Sequence, residues 1–148
     1  MLAIVVALVA SALAAYLLVT RSSAEDDRSG ALAAARQYAV DLTTYDFSSV
    51  DADFARFARH GTPAFRASYA TTIRAARPGI VKDQRRAAGT VVGAGLESYS
   101  RARAEVLLAV DQEIRSAART GPTVDHSRIQ MTLVRSGDGW LISAVRVI

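Results

Sequence analysis

From Leu2 to Val19 the chain carries no charged residue, and Ser11 is the only clearly polar side chain in the run. As a helix this stretch spans about 27 Å at ~1.5 Å per residue, close to the ~30 Å hydrocarbon core of a bilayer. It has no polar face, which argues against a buried helix of a soluble domain. The predicted element is a membrane anchor over 1–20, carried by Leu2, Ile4, Val5, Leu8, Leu13, Leu17, Leu18 and Val19. Tyr16 sits near one end, where an amphipathic ring suits the interface. Ala12-Leu13-Ala14 has the small-x-small spacing of a signal-peptide cleavage site, so a cleaved leader is the alternative. The apolar run continues past that point through Val19, which favours an uncleaved anchor. Arg21 follows the segment and no Lys or Arg precedes it; taken alone, that charge favours an inward-facing domain.

Residues 21–30 are polar and charged and end in Ser-Gly, the composition of a linker. From Ala31 the apolar positions recur at helical spacing: Leu32, Ala35, Tyr38 or Ala39, Leu42 and Tyr45. Ser48-Ser49-Val50-Asp51 has the form of a capping box and opens a short helix with Val50, Phe54 and Phe57 inward. Thr62-Pro63 pairs a hydroxyl cap with a proline in the first turn, where its missing N–H costs nothing. The helix it starts has Phe65, Tyr69, Ile73 and Ala76 on one stripe and is expected to stop at Pro78-Gly79, with a frayed stretch to Arg86.

After Ala88 the period becomes two. Strands are predicted over Thr90 to Ser98, Ala104 to Ile114, Arg128 to Arg135 and Trp140 to Ile148. Gly93 and Gly95 mark a bulge or sharp bend in the first. Gly137-Asp138-Gly139 is a hairpin turn between the last two. Trp140, Ile142 and Ala144 are expected on one face, with Trp140 anchoring the sheet against the helices near Phe54, Phe65 or Tyr69. An exposed Trp140 used for partner or membrane contact is the alternative. Helices followed by antiparallel strands give an α+β fold: about three helices packed on one face of a bent four-stranded sheet, as a single domain over 31–148.

With 148 residues there is room for this one domain and an anchor. The absence of cysteine excludes disulfides, thiolate zinc sites and thiol catalysis. The formal net charge of +4 is modest, and the arginines are scattered rather than blocked, a solvated mixed surface and not a nucleic-acid footprint. His60 and His126 have no partner at metal-ligand spacing and read as surface or turn residues. Asp51 and Asp53 read as first-turn residues that complement a helix dipole. Asp41 and Tyr45, four apart on the predicted first helix, are the candidate pocket residues: an acid/base pair at a pocket mouth, or Tyr45 in the core with Asp41 in water. Gly93-Ala94-Gly95 lacks the strand–loop–helix context of a phosphate site. No catalytic, cofactor or metal motif is expected.

Several stretches resemble the Mce-associated membrane proteins, which are associated with the mammalian-cell-entry lipid transporters. They are the anchor with its Ala-rich helix ending in Leu42-Thr43-Thr44-Tyr45-Asp46, the block from Asp53-Phe54-Ala55-Arg56 to Thr62-Pro63-Ala64-Phe65-Arg66-Ala67-Ser68-Tyr69, the Val91–Gly95 strand, the Ala104–Val110 strand, and the closing Gly137-Asp138-Gly139-Trp140-Leu141-Ile142. The resemblance implies an NTF2-like, cystatin-type cone. It also implies a non-enzymatic accessory subunit of a lipid or sterol import complex, with Mce transporter subunits, the membrane and lipid as partners and no nucleic acid. The domain would then sit on the outer face of a single-pass anchor. The same fold hosts SnoaL-like cyclases, steroid isomerases and lipid carriers, and secretion-system assembly domains share the anchor-plus-cone layout, so fold alone leaves these alternatives open.

Overall fold

The computed structural model describes residues 25–148. The predicted anchor, Leu2–Val19, lies outside these residues; among the described ones no helix is long and apolar enough to cross a membrane. The chain divides into two compact units at Gly30/Ala31. Residues 25–30, polar enough to read as a linker, are helical.

The unit Ala31–Ile148 has the element order α1 (31–43), β1 (Tyr45–Asp46), α2 (Val50–Ala58), α3 (Pro63–Lys82), β2 (Arg86–Tyr99), β3 (Arg103–Arg115), β4 (Thr123–Ser136) and β5 (Gly139–Val147). The sheet is antiparallel with strand order β1-β2-β3-β4-β5. It therefore has five strands where four were expected. The additional strand is β1, two residues that pair with Ala87 and Arg86, too short to leave a periodic signal.

Side chains alternate across a strand, so one sheet face is apolar. Ala104, Val106, Leu108 and Val110 of β3, Ile129, Met131 and Leu133 of β4, and Trp140 and Ile142 of β5 are buried on it. Against this face α1 presents Ala31, Ala35 and Ala39, four apart and fully buried; three alanines in register let the helix lie close to the strands. Leu32, Tyr38 and Leu42 pack at its flanks. From α2, Phe57 enters the same core, edge-on to Tyr69 at 4.8 Å and to Phe65 at 5.9 Å. A second, smaller cluster joins Val50, Phe54 and Ile80 with Tyr45, Phe47 and Ile73.

Bulges set the bends. Val92 and Glu97 of β2 have no partner on β3, the first immediately before Gly93. In β5 the register slips at Ser143, because Thr132 faces Ala144 while Leu133 faces Ile142. One extra residue reverses which side chains point inward. Ala144, expected beside Trp140 and Ile142, is consequently exposed, and Val145 packs on the core instead.

Helix α3 does not stop at Pro78. It runs to Lys82 with Pro78 inside it. A proline there leaves one carbonyl of the preceding turn without its helical donor. Two tertiary contacts hold the turn regardless: Ile80 is buried in the second cluster, and the Arg77 guanidinium donates to both carboxylate oxygens of Asp51 at 2.7 Å. The helix start is as the sequence implies, with Thr62 Oγ1 accepting from the Phe65 N–H at 3.2 Å. The α2 start is not. Its N-cap, Ser49, makes no side-chain cap bond; the Ser49 hydroxyl donates to Asp53 at 2.8 Å, and Asp51 is committed to Arg77.

Candidate functional site

Asp41 and Tyr45 do not form a pocket pair. The helix ends at Thr43, so the four-residue spacing no longer stacks their side chains on one face. Tyr45 lies on β1, tilted against Phe54 at 5.8 Å, and burial pushes its phenol pKa up. Asp41 turns to the helical side. Its carboxylate accepts from Gln37 at 3.4 Å and faces Arg56 Nε at 3.4 Å and His60 Nε2 at 3.0 Å.

These contacts open a ladder of alternating charge. The Arg56 guanidinium also donates to Asp53 at 2.8 Å. Asp53 accepts in addition from the Asp46 N–H at 3.0 Å and the Ser49 hydroxyl at 2.8 Å. Burial opposes ionisation of Asp53, but those three donors outweigh it and hold its carboxyl below the usual aspartate range. The ladder thus links α1, α2 and the turn after β1. Nothing in the sequence marks it, because Asp41 and His60 are 19 positions apart.

His60 is a structural residue of this ladder and not a free surface histidine. Its ring stacks on Tyr38 with centroids 4.2 Å apart. Its carbonyl accepts from the Ile142 N–H at 2.7 Å, and the Thr62 N–H donates to the Ile142 carbonyl at 2.8 Å. The Tyr38 hydroxyl donates to the Trp140 carbonyl at 2.8 Å. The α2–α3 turn is thereby fastened to β5, and it covers part of that strand's otherwise open edge. A tyrosine, a histidine and an aspartate in contact suggest acid–base chemistry. Here, however, Nε2 is turned to Asp41, and neither residue lines the grooves described below. His126 lies within β4, opposite Asp111 on β3 and 2.7 Å from it, an exposed cross-strand pair.

Trp140 is 5 % exposed and sits in the main core. Its aromatic neighbour is Tyr99, at 6.1 Å, and the Arg135 guanidinium lies 5.1 Å from its ring centroid. Of the partners expected from sequence, Phe65 and Tyr69 pack against this same core; between α2 and α3 Phe65 stacks on Tyr69, and Phe54 meets Tyr69 edge-on.

Two surface grooves flank the helices. One, of about 420 Å³, lies between β1, the start of β2 and the N-terminus of α2. Its charges are largely matched within the domain: Arg86 with Asp46 at 3.1 Å, and Arg115 with Glu113 at 2.8 Å. The other, of about 250 Å³, runs between α2 and α3 and is lined by Phe54, Ala55, Ala58, Arg66, Tyr69, Ala70, Ile73 and Arg74. Of the twenty residues of α3 only Ile80 is buried, so most of this helix surface faces outward. Neither groove is a deep apolar cavity with converging acid and base.

The whole chain, residues 1–148, matches the family described as "Uncharacterized protein Rv1363c/MT1408-like". The chain belongs to this family. No curated protein matches the sequence. Among solved structures, the family member is similar to an IcmL-like type IV secretion system protein from Legionella pneumophila, with a TM-score of 0.71 at 8 % identity over 82 % of this chain and 91 % of that one. It is likewise similar to CagV, a VirB8 homologue of the type IV secretion system of Helicobacter pylori, with a TM-score of 0.65 at 10 % identity over 80 % and 96 %. An NTF2-like protein involved in plasmid conjugation matches with a TM-score of 0.56 at 10 % identity, over 82 % of this chain and 49 % of that one. At these identities the likeness establishes the NTF2-like α+β fold. The expectation of a subunit of an Mce-type lipid or sterol importer is corrected by the same comparison: the solved structures just named are described as type IV secretion and plasmid-conjugation proteins.

Proposed function

We propose that this protein is a non-enzymatic assembly subunit of a multi-protein complex in the cell envelope, built in the manner of type IV secretion machinery. The Leu2–Val19 segment holds it in the membrane, and Ala31–Ile148 lies on the extracytoplasmic side. The observation that carries the reading is the fold shared with a type IV secretion protein across 82 % of this chain and 91 % of the other. A further neighbour is described as the periplasmic domain of DotI, which supports the outward placement. The side-chain chemistry supports a binding role. Asp41, Asp53, Arg56 and His60 are committed to one another, and the domain's most exposed helix, α3, lies beside an open apolar groove.

The test is recovery of the tagged full chain from native membranes in mild detergent after brief cross-linking. A discrete assembly containing other envelope subunits in constant proportion is expected. Recovery of the chain alone, or only from the soluble fraction, overturns the proposal.

A further inference from the structure

The groove between α2 and α3 joins an apolar floor to two cations that have no ion-pair partner among the described residues. Arg56 and Arg77, on the same two helices, are each paired with aspartate. Arg66 and Arg74 line the groove, are exposed, and make no ion pair among the described residues; Arg74 donates only to the Ala70 carbonyl of its own helix, at 3.3 Å. No carboxylate lines the groove. Its floor is the aromatic and aliphatic surface of Phe54, Tyr69 and Ile73, and Ala55, Ala58 and Ala70 leave room above it. Arg66 and Arg74 are two helical turns apart, about 12 Å at ~1.5 Å per residue.

We propose that this groove docks an acidic amphipathic helix of a partner protein, through two carboxylates about two turns apart that bracket an apolar anchor. The reasoning is charge complementarity. An apolar trough with an unpaired cation at each end and no anion of its own is matched by a segment with the opposite arrangement. The arginine fork takes a carboxylate in two parallel hydrogen bonds, which sets the register of the docked helix along α3. The alanines on both walls let a leucine or phenylalanine reach Phe54 and Tyr69. This inference deepens the assembly reading, on which it rests for the existence of a partner.

The probe is a capped helical peptide with two glutamates two turns apart and leucines between them, together with a twin in which lysine replaces both glutamates. Each is titrated by fluorescence anisotropy against the full chain in nanodiscs of zwitterionic lipid and, in parallel, of anionic lipid, with empty discs as the blank. The glutamate peptide is expected to bind the unaltered chain at least ~10-fold more tightly than the lysine twin. In the Arg66→Glu/Arg74→Glu double variant this preference should invert. Ala70→Trp, which fills the trough, should abolish binding of both peptides. All three replacements are at exposed positions, so an unchanged melting temperature certifies the fold. Equal affinity for the two peptides, or binding indifferent to Ala70→Trp, overturns the proposal. So does self-association of the chain that Ala70→Trp abolishes, which would make a second copy the occupant. A response of the double variant seen only with anionic lipid overturns it too, in favour of a membrane-facing surface. Co-purification of the envelope assembly with both the unaltered chain and the double variant sinks the groove and leaves the assembly reading intact; loss from both sinks the assembly reading.

Discussion

Gln84→Gly should make this domain more stable, and the reason is in the way α3 ends. The Arg85 N–H donates to the Ile80 carbonyl at 3.0 Å and the Gln84 N–H to the Val81 carbonyl at 3.2 Å. This is the Schellman arrangement, which requires a left-handed residue just past the helix cap, usually glycine. Glutamine occupies that place at φ 48°, the one non-glycine residue with positive φ among those described. For an L-residue with a Cβ the left-handed region costs about 1–2 kcal/mol, against roughly 0.5–1 kcal/mol of extra unfolded-state entropy that glycine carries. The side chain is exposed and makes no hydrogen bond, so nothing else is lost. The net gain is about 0.5–1 kcal/mol, or a rise in melting temperature of about 2–5 °C for a domain of this size. The assay is thermal unfolding of the full chain in mild detergent, followed by far-ultraviolet circular dichroism. Gln84→Ala, which keeps the strain, should leave the midpoint nearly unchanged. Gln84→Pro, which fixes φ near −65° and removes the N–H bonded to Val81, should lower it. A Gly variant that melts at or below the temperature of the unaltered chain would refute the reasoning.

Other substitutions test other parts of the account. Trp140→Ala should cost about 3–5 kcal/mol, because the indole is core and its removal leaves a cavity; an unchanged midpoint would reassign the residue to an interface. Gly89→Ala should cost about 1–3 kcal/mol by overpacking, since an added Cβ would lie 2.6 Å from Thr43 Cβ while Thr43 Oγ1 is held by the Ala39 carbonyl at 2.7 Å; a neutral result would mean that the α1–β2 contact yields. Asp53, held below its ordinary value of 3.8, adds stability that is fully present above that pH and is lost as pH falls through the depressed folded value. The stability gap between the unaltered chain and Asp53→Asn, read by urea unfolding, should therefore shrink below about pH 4, and a gap constant with pH would exclude the ladder as its source.

Much of this architecture could be read from residue order. The change from helical to alternating period after α3, the Thr62-Pro63 helix start and the β4 alternation are local signals, and local chemistry decides them. Gly93 is followed correctly to the bulge at Val92, and Gly137 to a turn at φ 57°. Most of what was missed depends on contacts distant in sequence. Pro78 breaks an isolated helix, but burial of Ile80 and the Asp51–Arg77 pair keep this one intact. Ser143 gives no sign of a bulge, yet it alone moves Ala144 out of the core. Gln84 hides a helix cap that a glycine would have announced. The candidate site was the least legible. Asp41 was read beside Tyr45, four positions on, whereas the structure sets it against Arg56 and His60, which come from another helix and the turn after it. Arg66 and Arg74 are two of many scattered arginines until the structure sets both along one apolar trough that no carboxylate lines.

The central claim, that this protein assembles an envelope complex, is tested most directly by removing it. Native-membrane complexes are resolved by size from cells that lack the protein and from cells in which the full chain has been restored, with subunits quantified by mass spectrometry. The account predicts that one large envelope complex loses its assembled form while its other subunits are still made, and that the full chain restores it. If every envelope complex keeps its size and composition without the protein, the account is contradicted.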